Sequence, residues 1–255
     1  MPKDSTFGQA VQVTEASPDA RTLIVCEHAS CRIPASLGDL GLPSDVLCSH
    51  IAWDPGALGV AFELAKIMDA PLVHGQISRL VYDCNRPPEA HDSIPARSEV
   101  HDIPGNADLS DAERQARIDQ VYVPFRDHLS GEITARRGHL DLMVTVHSFT
   151  PVYHGAPRPV ELGILHGRDD RFAQAMLAAK PAEFEYDVRL NEPYAASDGV
   201  AHTLDIQGVN NGLLNVMLEI RNDLITTADD QTAWATVLAP WLHATLAGFA
   251  EGDME

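Results

Sequence analysis

The sequence predicts an α/β protein with a mostly parallel sheet covered on both faces. Apolar runs of strand length alternate along the chain with segments of helical periodicity, the pattern of strand–helix–strand crossovers. Leu140–Val146 is apolar at nearly every position and reads as a buried strand. The 255 residues, 45% hydrophobic and 22% charged, suffice for one large core. No Ser/Gly-rich linker, repeat or low-complexity stretch divides the chain, so residues 1–255 are expected to form one domain.

Residues 1–20 are polar and read as an irregular lead-in. Thr22–Cys26 is the first strand and hands the chain to Glu27 and His28. Pro34, Gly38, Gly41 and Pro43 make residues 31–53 a long loop with short helical turns. Asp54 fits an N-cap and Pro55 a first helical position; Leu58, Ala61, Phe62, Ala65 and Met68 mark the apolar face of the helix that follows. Pro71–His74 and Leu80–Asp83 read as strands around a turn. Residues 87–108, with Pro87, Pro88, Pro95 and Pro104, read as a surface loop or lid. Ser110 and Glu113 form a capping box that opens a helix to about Arg137. Leu140–Val146, Val160–Leu165 and Leu213–Ile220 are strands, Asp170–Lys180 is a helix, and Thr232–Ala250 is a closing amphipathic helix.

The formal net charge is −19, and the only lysines are Lys3, Lys66 and Lys180. Such a surface argues against nucleic acid or an anionic membrane as partner, and an anionic substrate would need a local group of arginines. There is no apolar run of transmembrane length and no basic-then-apolar leader at Met1–Pro18. Cys26, Cys31, Cys48 and Cys84 lack paired CxxC spacing. Reduced thiols in a cytoplasmic protein are therefore expected.

Ligands of open α/β sheets bind beyond the carboxyl ends of the strands. Polar groups fall at four such places: His28 after the first strand, Asp83–Arg86 after the third, His147 after the fourth, and Glu219 late in Leu213–Ile220. Two imidazoles and one carboxylate are a common catalytic zinc set that leaves a fourth position for water. Asp54 is the first choice of carboxylate, although an Asp before a Pro also serves as a plain N-cap. Glu27 and His50 are its rivals. Alternation along the strand puts Asn215, Met217 and Glu219 on one face and Leu214, Val216, Leu218 and Ile220 on the other. A glutamate in such a strand is costly to bury unpaired. Either Arg221 or Arg189 pairs with it, or it is a general base whose pKa its apolar neighbours raise.

The motifs VCEHAS, AWDPGA, SRLVYDCNR, VHSF, NEPY and EIRNDL, in this order from Thr22 to Leu224, resemble the N-formylglutamate amidohydrolase family. That family is similar in fold to the zinc carboxypeptidases and aspartoacylases. The resemblance implies a three-layer α/β/α sandwich around a mixed, mostly parallel sheet. It implies His28, Asp54 and His147 as ligands of one Zn2+, with iron, cobalt or manganese as alternatives. It further implies that Glu219 is the general base and Arg79 polarises the scissile carbonyl. Asn85 and Arg86 would bind a substrate carboxylate, and Tyr194 would close over the ligand. The expected substrate is a small anionic N-acyl amino acid, N-formylglutamate foremost, yielding formate and glutamate. The carboxypeptidases keep their first two ligands within a few residues, whereas 25 residues separate His28 from Asp54 here, which keeps His50 in contention. Two rival chemistries find less support. A Glu–Lys–Cys amidase lacks a suitably placed lysine, and Ser148 lacks a G-x-S-x-G elbow. His166, ending a predicted strand, is read as supporting or structural.

Overall fold

The computed structural model describes residues 6–252. Its centre is a seven-stranded sheet: β1 Val11–Thr14, β2 Thr22–Cys26, β3 Leu72–Gly75, β4 Leu142–Phe149, β5 Leu162–Leu165, β6 Val188–Leu190 and β7 Leu214–Arg221. The strand order is β1-β3-β2-β4-β7-β5-β6. β3, β2, β4 and β7 run parallel, as do β5 and β6, while β1–β3 and β5–β7 are antiparallel.

Five helices cover the two faces: α1 Ala57–Ile67, α2 Asp111–Arg117, α3 Val123–Ala135, α4 Arg171–Ala178 and α5 Ala228–Gly252. On one face Ile24, Val144 and Val216 pack with Val60 and Leu64 of α1, Phe172 of α4 and Leu238 of α5. On the other, Val25, Met143 and Met217 pack with Phe125, Leu129 and Ile133 of α3. Strand side chains alternate between the two cores, so the sheet is sandwiched between helical layers as expected. No helix among the described residues is long and apolar enough to cross a membrane.

Several elements depart from the sequence reading. The lead-in contains β1, an edge strand that pairs antiparallel with β3; residues 1–5 of that segment lie outside the described residues. Leu80–Asp83 is a buried turn, not a strand. Its carbonyls are satisfied by side chains in place of a ladder: Asn106 Nδ2 donates to the Leu80 oxygen at 2.8 Å and Arg117 Nη1 to the Val81 oxygen at 3.2 Å. Ser110 and Glu113 do form the capping box, but a π-helical turn over Ile118–Tyr122 separates α2 from α3. The N-cap of α1 is Gly56, at φ 82°, and not Asp54. The buried face of α1 is Ala57, Val60, Ala61, Leu64 and Ala65, whereas Phe62 is exposed and meets the His74 ring edge-on.

β4 runs past Val146 to Phe149, so His147 lies within the strand. Two small hairpins flank its exit. One pairs Arg97–Ser98 with His101–Asp102, the other Val152–Tyr153 with Ala156–Pro157. The four cysteines are free, and the Cys31 and Cys48 sulfurs lie 2.8 Å apart in the loop between β2 and α1.

Candidate metal centre and active site

The site is assembled where β2 and β4 deliver their carboxyl ends and a long loop folds back. β2 hands Glu27 and His28 to the edge of the sheet. The 31–53 loop returns to this point, and the Asp54 amide donates to the His28 carbonyl at 2.9 Å. Ala52 accepts from Ser78 Oγ and from the Arg79 amide, which fixes Arg79 beside Asp54. In the parallel register Glu219 of β7 stands directly opposite His147 of β4, and both project on the same face.

Both imidazoles turn Nδ1 toward one carboxylate oxygen. His147 Nδ1 lies 2.8 Å and His28 Nδ1 3.3 Å from Asp54 Oδ2. The rings meet edge-to-face with centroids 4.8 Å apart. Each outer nitrogen has a carboxylate of its own: His28 Nε2 is 2.7 Å from Asp83 Oδ1, and His147 Nε2 is 3.0 Å from Glu27 Oε2. The second contact is a close ion pair without aligned hydrogen-bond geometry, since the same atoms lack a hydrogen-bond partner. Carboxylates behind histidines fix ring orientation in metal sites. Arg79 bridges Asp54 Oδ1 at 3.3 Å and Asp83 Oδ2 at 3.1 Å. His28, Asp54 and His147 each offer a ligand atom within 4.8 Å of the others, a group able to hold one metal ion.

Charge balance fits that group to a divalent cation. Glu27, Asp54, Asp83 and Glu219 are all buried, and among the described residues Arg79 is the guanidinium that pairs with two of them, Asp54 and Asp83. Burial pushes the Glu27, Asp54 and Asp83 carboxyls up, but the imidazoles, helped at Asp83 by Arg79, hold all three below the usual carboxylate range. Burial and Arg79 push His28 down, yet Asp83 and Asp54 leave it raised. Burial pushes His147 down, and Glu27 and Asp54 lift it well above the ordinary imidazole value. Protons on the rings thus supply positive charge that a metal would otherwise bring. Glu219 behaves oppositely. Burial first, and then the Asp54 charge, outweigh the pull of His147, Arg79 and His28 and push it up to about 7. Its Oε2 is buried without a hydrogen-bond partner.

Residues 20–226 match the model of the N-formylglutamate amidohydrolase family. The chain belongs to that family. It is 51% identical to the gene product Atu2144 from Agrobacterium tumefaciens, covering 95% of this chain and 97% of that one, with a TM-score of 0.92. An N-formylglutamate amidohydrolase from Ralstonia eutropha shares the fold at 17% identity and a TM-score of 0.61, over 94% of this chain and 99% of that one. No curated protein matches the chain.

In this amidohydrolase the centre opens into a cavity of about 810 Å³. Arg79, Asn85, Arg86, Tyr194 and Glu219 all line it together with His28, Asp54 and His147. Their contacts differ in kind. Asn85 Nδ2 donates to the Val200 carbonyl, and its Oδ1 accepts from the Thr203 amide at 3.0 Å. Arg86 donates to Asp92 Oδ2 at 2.9 Å and to the Gly199 and Asp198 carbonyls at 2.6 and 3.3 Å. Both residues therefore tie the 198–203 turn to the wall. Tyr194 is pushed up to about 12, by burial first and then by Glu219, so its phenol stays neutral. The rivals have other partners: His50 Nε2 meets Glu99 Oε1 at 2.8 Å, and Glu27 backs His147. His166 is held by the Gly167 carbonyl and Asn191. Ser148 Oγ donates to the Pro55 carbonyl at 2.8 Å, and no imidazole among the described residues accepts from it. Arg221 and Arg189 pair with other carboxylates and leave Glu219 alone. Sequence reasoning missed the backing roles of Glu27 and Asp83. Their adjacency to His28 and to SRLVY was visible, but the partner of each comes from another segment.

Proposed function

We propose that the chain hydrolyses the amide bond of an N-acyl amino acid, N-formylglutamate foremost, with one divalent metal held by His28 Nδ1, Asp54 and His147 Nδ1. The observation that carries this reading is Glu219: buried, without a partner at Oε2, raised to about 7, and opposite His147 in the register. Zinc suits a two-imidazole, one-carboxylate set, and when bound it would polarise a carbonyl and acidify water toward pKa ~7. Glu219 then serves as the base that removes the water's proton and returns it to the leaving amine. Burial keeps that carboxyl above the ordinary glutamate range in the metal-free centre, which suits a group that must take and return a proton.

Arg79 lies within the cavity against Asp54 and Asp83, where its guanidinium suits an oxyanion forming beside the metal ligands. Glu27 and Asp83 hold the imidazoles in orientation. Tyr194, a neutral phenol on the wall, donates a hydrogen bond over the ligand. Asn85 and Arg86 shape the pocket by holding the 198–203 turn, and Arg86 keeps one Nη2 donor for a substrate carboxylate. One sheet drawn from residues 11–221 supports reading the chain as one domain.

The test is metal content together with formate release from N-formylglutamate, for wild type, His147→Ala and Glu219→Gln. About one metal per chain and turnover in the wild type is the expected result. His147→Ala loses both, whereas Glu219→Gln keeps the metal and loses turnover by a factor on the order of 10² or more. Chelator-insensitive turnover would overturn the reading.

A further inference from the structure

Four arginines line the cavity, and three are already matched to carboxylates. Arg79 bridges Asp54 and Asp83, Arg86 meets Asp92, and Arg97 meets Asp102. Arg158 is different: no carboxylate contacts it among the described residues. Its one side-chain hydrogen bond there is from Nη1 to the Tyr194 hydroxyl, at 3.1 Å. The guanidinium lies instead over aromatic rings, 4.3 Å from the Tyr153 centroid, 4.9 Å from Tyr194 and 5.6 Å from Phe149.

That environment orients a cation without neutralising it. The rings attract the guanidinium and hold its plane, while a phenol fixes one end, so donors remain for an incoming anion. The cavity is otherwise acidic, with Asp92, Glu99, Glu192, Asp198 and Glu219 on its walls. An anionic group entering it meets one cation whose charge is not already matched. Among the described residues no ion pair or hydrogen bond joins Arg158 to His28, Asp54, His147 or Glu219, so its charge is free to receive a ligand carboxylate other than the group held at the metal ligands. Phe149 and Tyr153 beside it offer an apolar bed suited to methylenes.

We propose that Arg158 is the specificity anchor of this site, gripping the side-chain carboxylate of an acidic N-acyl amino acid and so selecting dianionic over monoanionic substrates. This rests on the metal-dependent amidohydrolase reading given above. A planar guanidinium takes a carboxylate through two parallel hydrogen bonds, which a lysine does not reproduce.

The test compares kcat/KM for N-formylglutamate and N-formylglutamine, which differ by that one charge. Wild type is expected to prefer the diacid by a factor on the order of 10². In Arg158→Met the ratio falls to within about threefold of one, chiefly through KM for the diacid, and Arg158→Lys recovers only part of it. Metal content and Tm of both variants are measured alongside to confirm folding. A ratio unchanged in Arg158→Met, or a wild type without preference, would overturn the proposal. If the metal-loaded wild type cleaves neither compound, the amidohydrolase reading fails on its own. Calorimetric binding of glutarate against glutaramate then decides the anchor separately: Arg158→Met must abolish the preference for glutarate, and retention of it sinks the proposal.

Discussion

Glu219 has an ordinary value of 4.5 and stands at about 7 in the fold, and the direction of that shift fixes two outcomes. A carboxyl with a raised folded pKa stabilises the native state below its unfolded value and loses that contribution as pH rises through the folded one. In the metal-free protein Glu219 is therefore a liability above pH ~7. Glu219→Gln is expected to raise apo-protein stability by roughly 1–3 kcal/mol at pH 8 and to change it little at pH 4.5–5, as read by denaturant unfolding at both pH values. The residue proposed as the base thus weakens the metal-free fold, a trade frequent at catalytic positions. Under the proposed mechanism the same proton controls rate. Accordingly, kcat/KM should decline as pH falls through the pKa of Glu219 in the metal-loaded enzyme, which an adjacent divalent ion sets below the metal-free value of about 7. Arg79, held against Asp54 and Asp83, stays charged throughout that range.

At the scale of elements, the centre depends on close backbone approach between strands and loops. A side chain at Gly75, the last residue of β3, would run into the Glu27 backbone carbonyl. Gly75→Ala is expected to cost about 2 kcal/mol through strain that only backbone movement relieves. It should also lower metal affinity, because Glu27 backs His147; calorimetric metal titration checks this independently of Tm. The fold itself was legible wherever a strand was buried on two faces, as with β2, β4, β5 and β7. It was not legible at the edges. β1 and β6 are edge strands of four and three residues, and β1 mixes polar Gln12 and Thr14 with its valines. Leu80–Asp83 looked like a strand because it is apolar and buried. Asn106 and Arg117, distant in sequence, supply the hydrogen bonds that let such a segment turn.

For the molecule as a whole, charge is the organising quantity. Four buried carboxylates and one guanidinium leave the centre short of positive charge, made up by ring protons or by a divalent ion. His147 is raised, so its proton stabilises the metal-free protein at low pH and that contribution disappears as pH rises through its folded value. Chelation should consequently lower Tm by several degrees, and by more at pH 8 than at pH 6, a difference that a thermal melt with and without chelator reads directly. The convergence of His28, Asp54 and His147 was readable from motif resemblance. Glu27 and Asp83 behind the rings were not, since each acquires its role from tertiary contact. Nor was Arg158, whose distinction is that no carboxylate among the described residues meets it, a property no sequence spacing records. The touching Cys31 and Cys48 sulfurs lie in the long excursion that separates His28 from Asp54. In terms of chain entropy, that excursion is already a ring open by one bond. Exchange with oxidised glutathione would close it, consuming two thiols and releasing two reduced glutathiones. A cross-link over such a span removes about 3 kcal/mol of freedom from the unfolded chain.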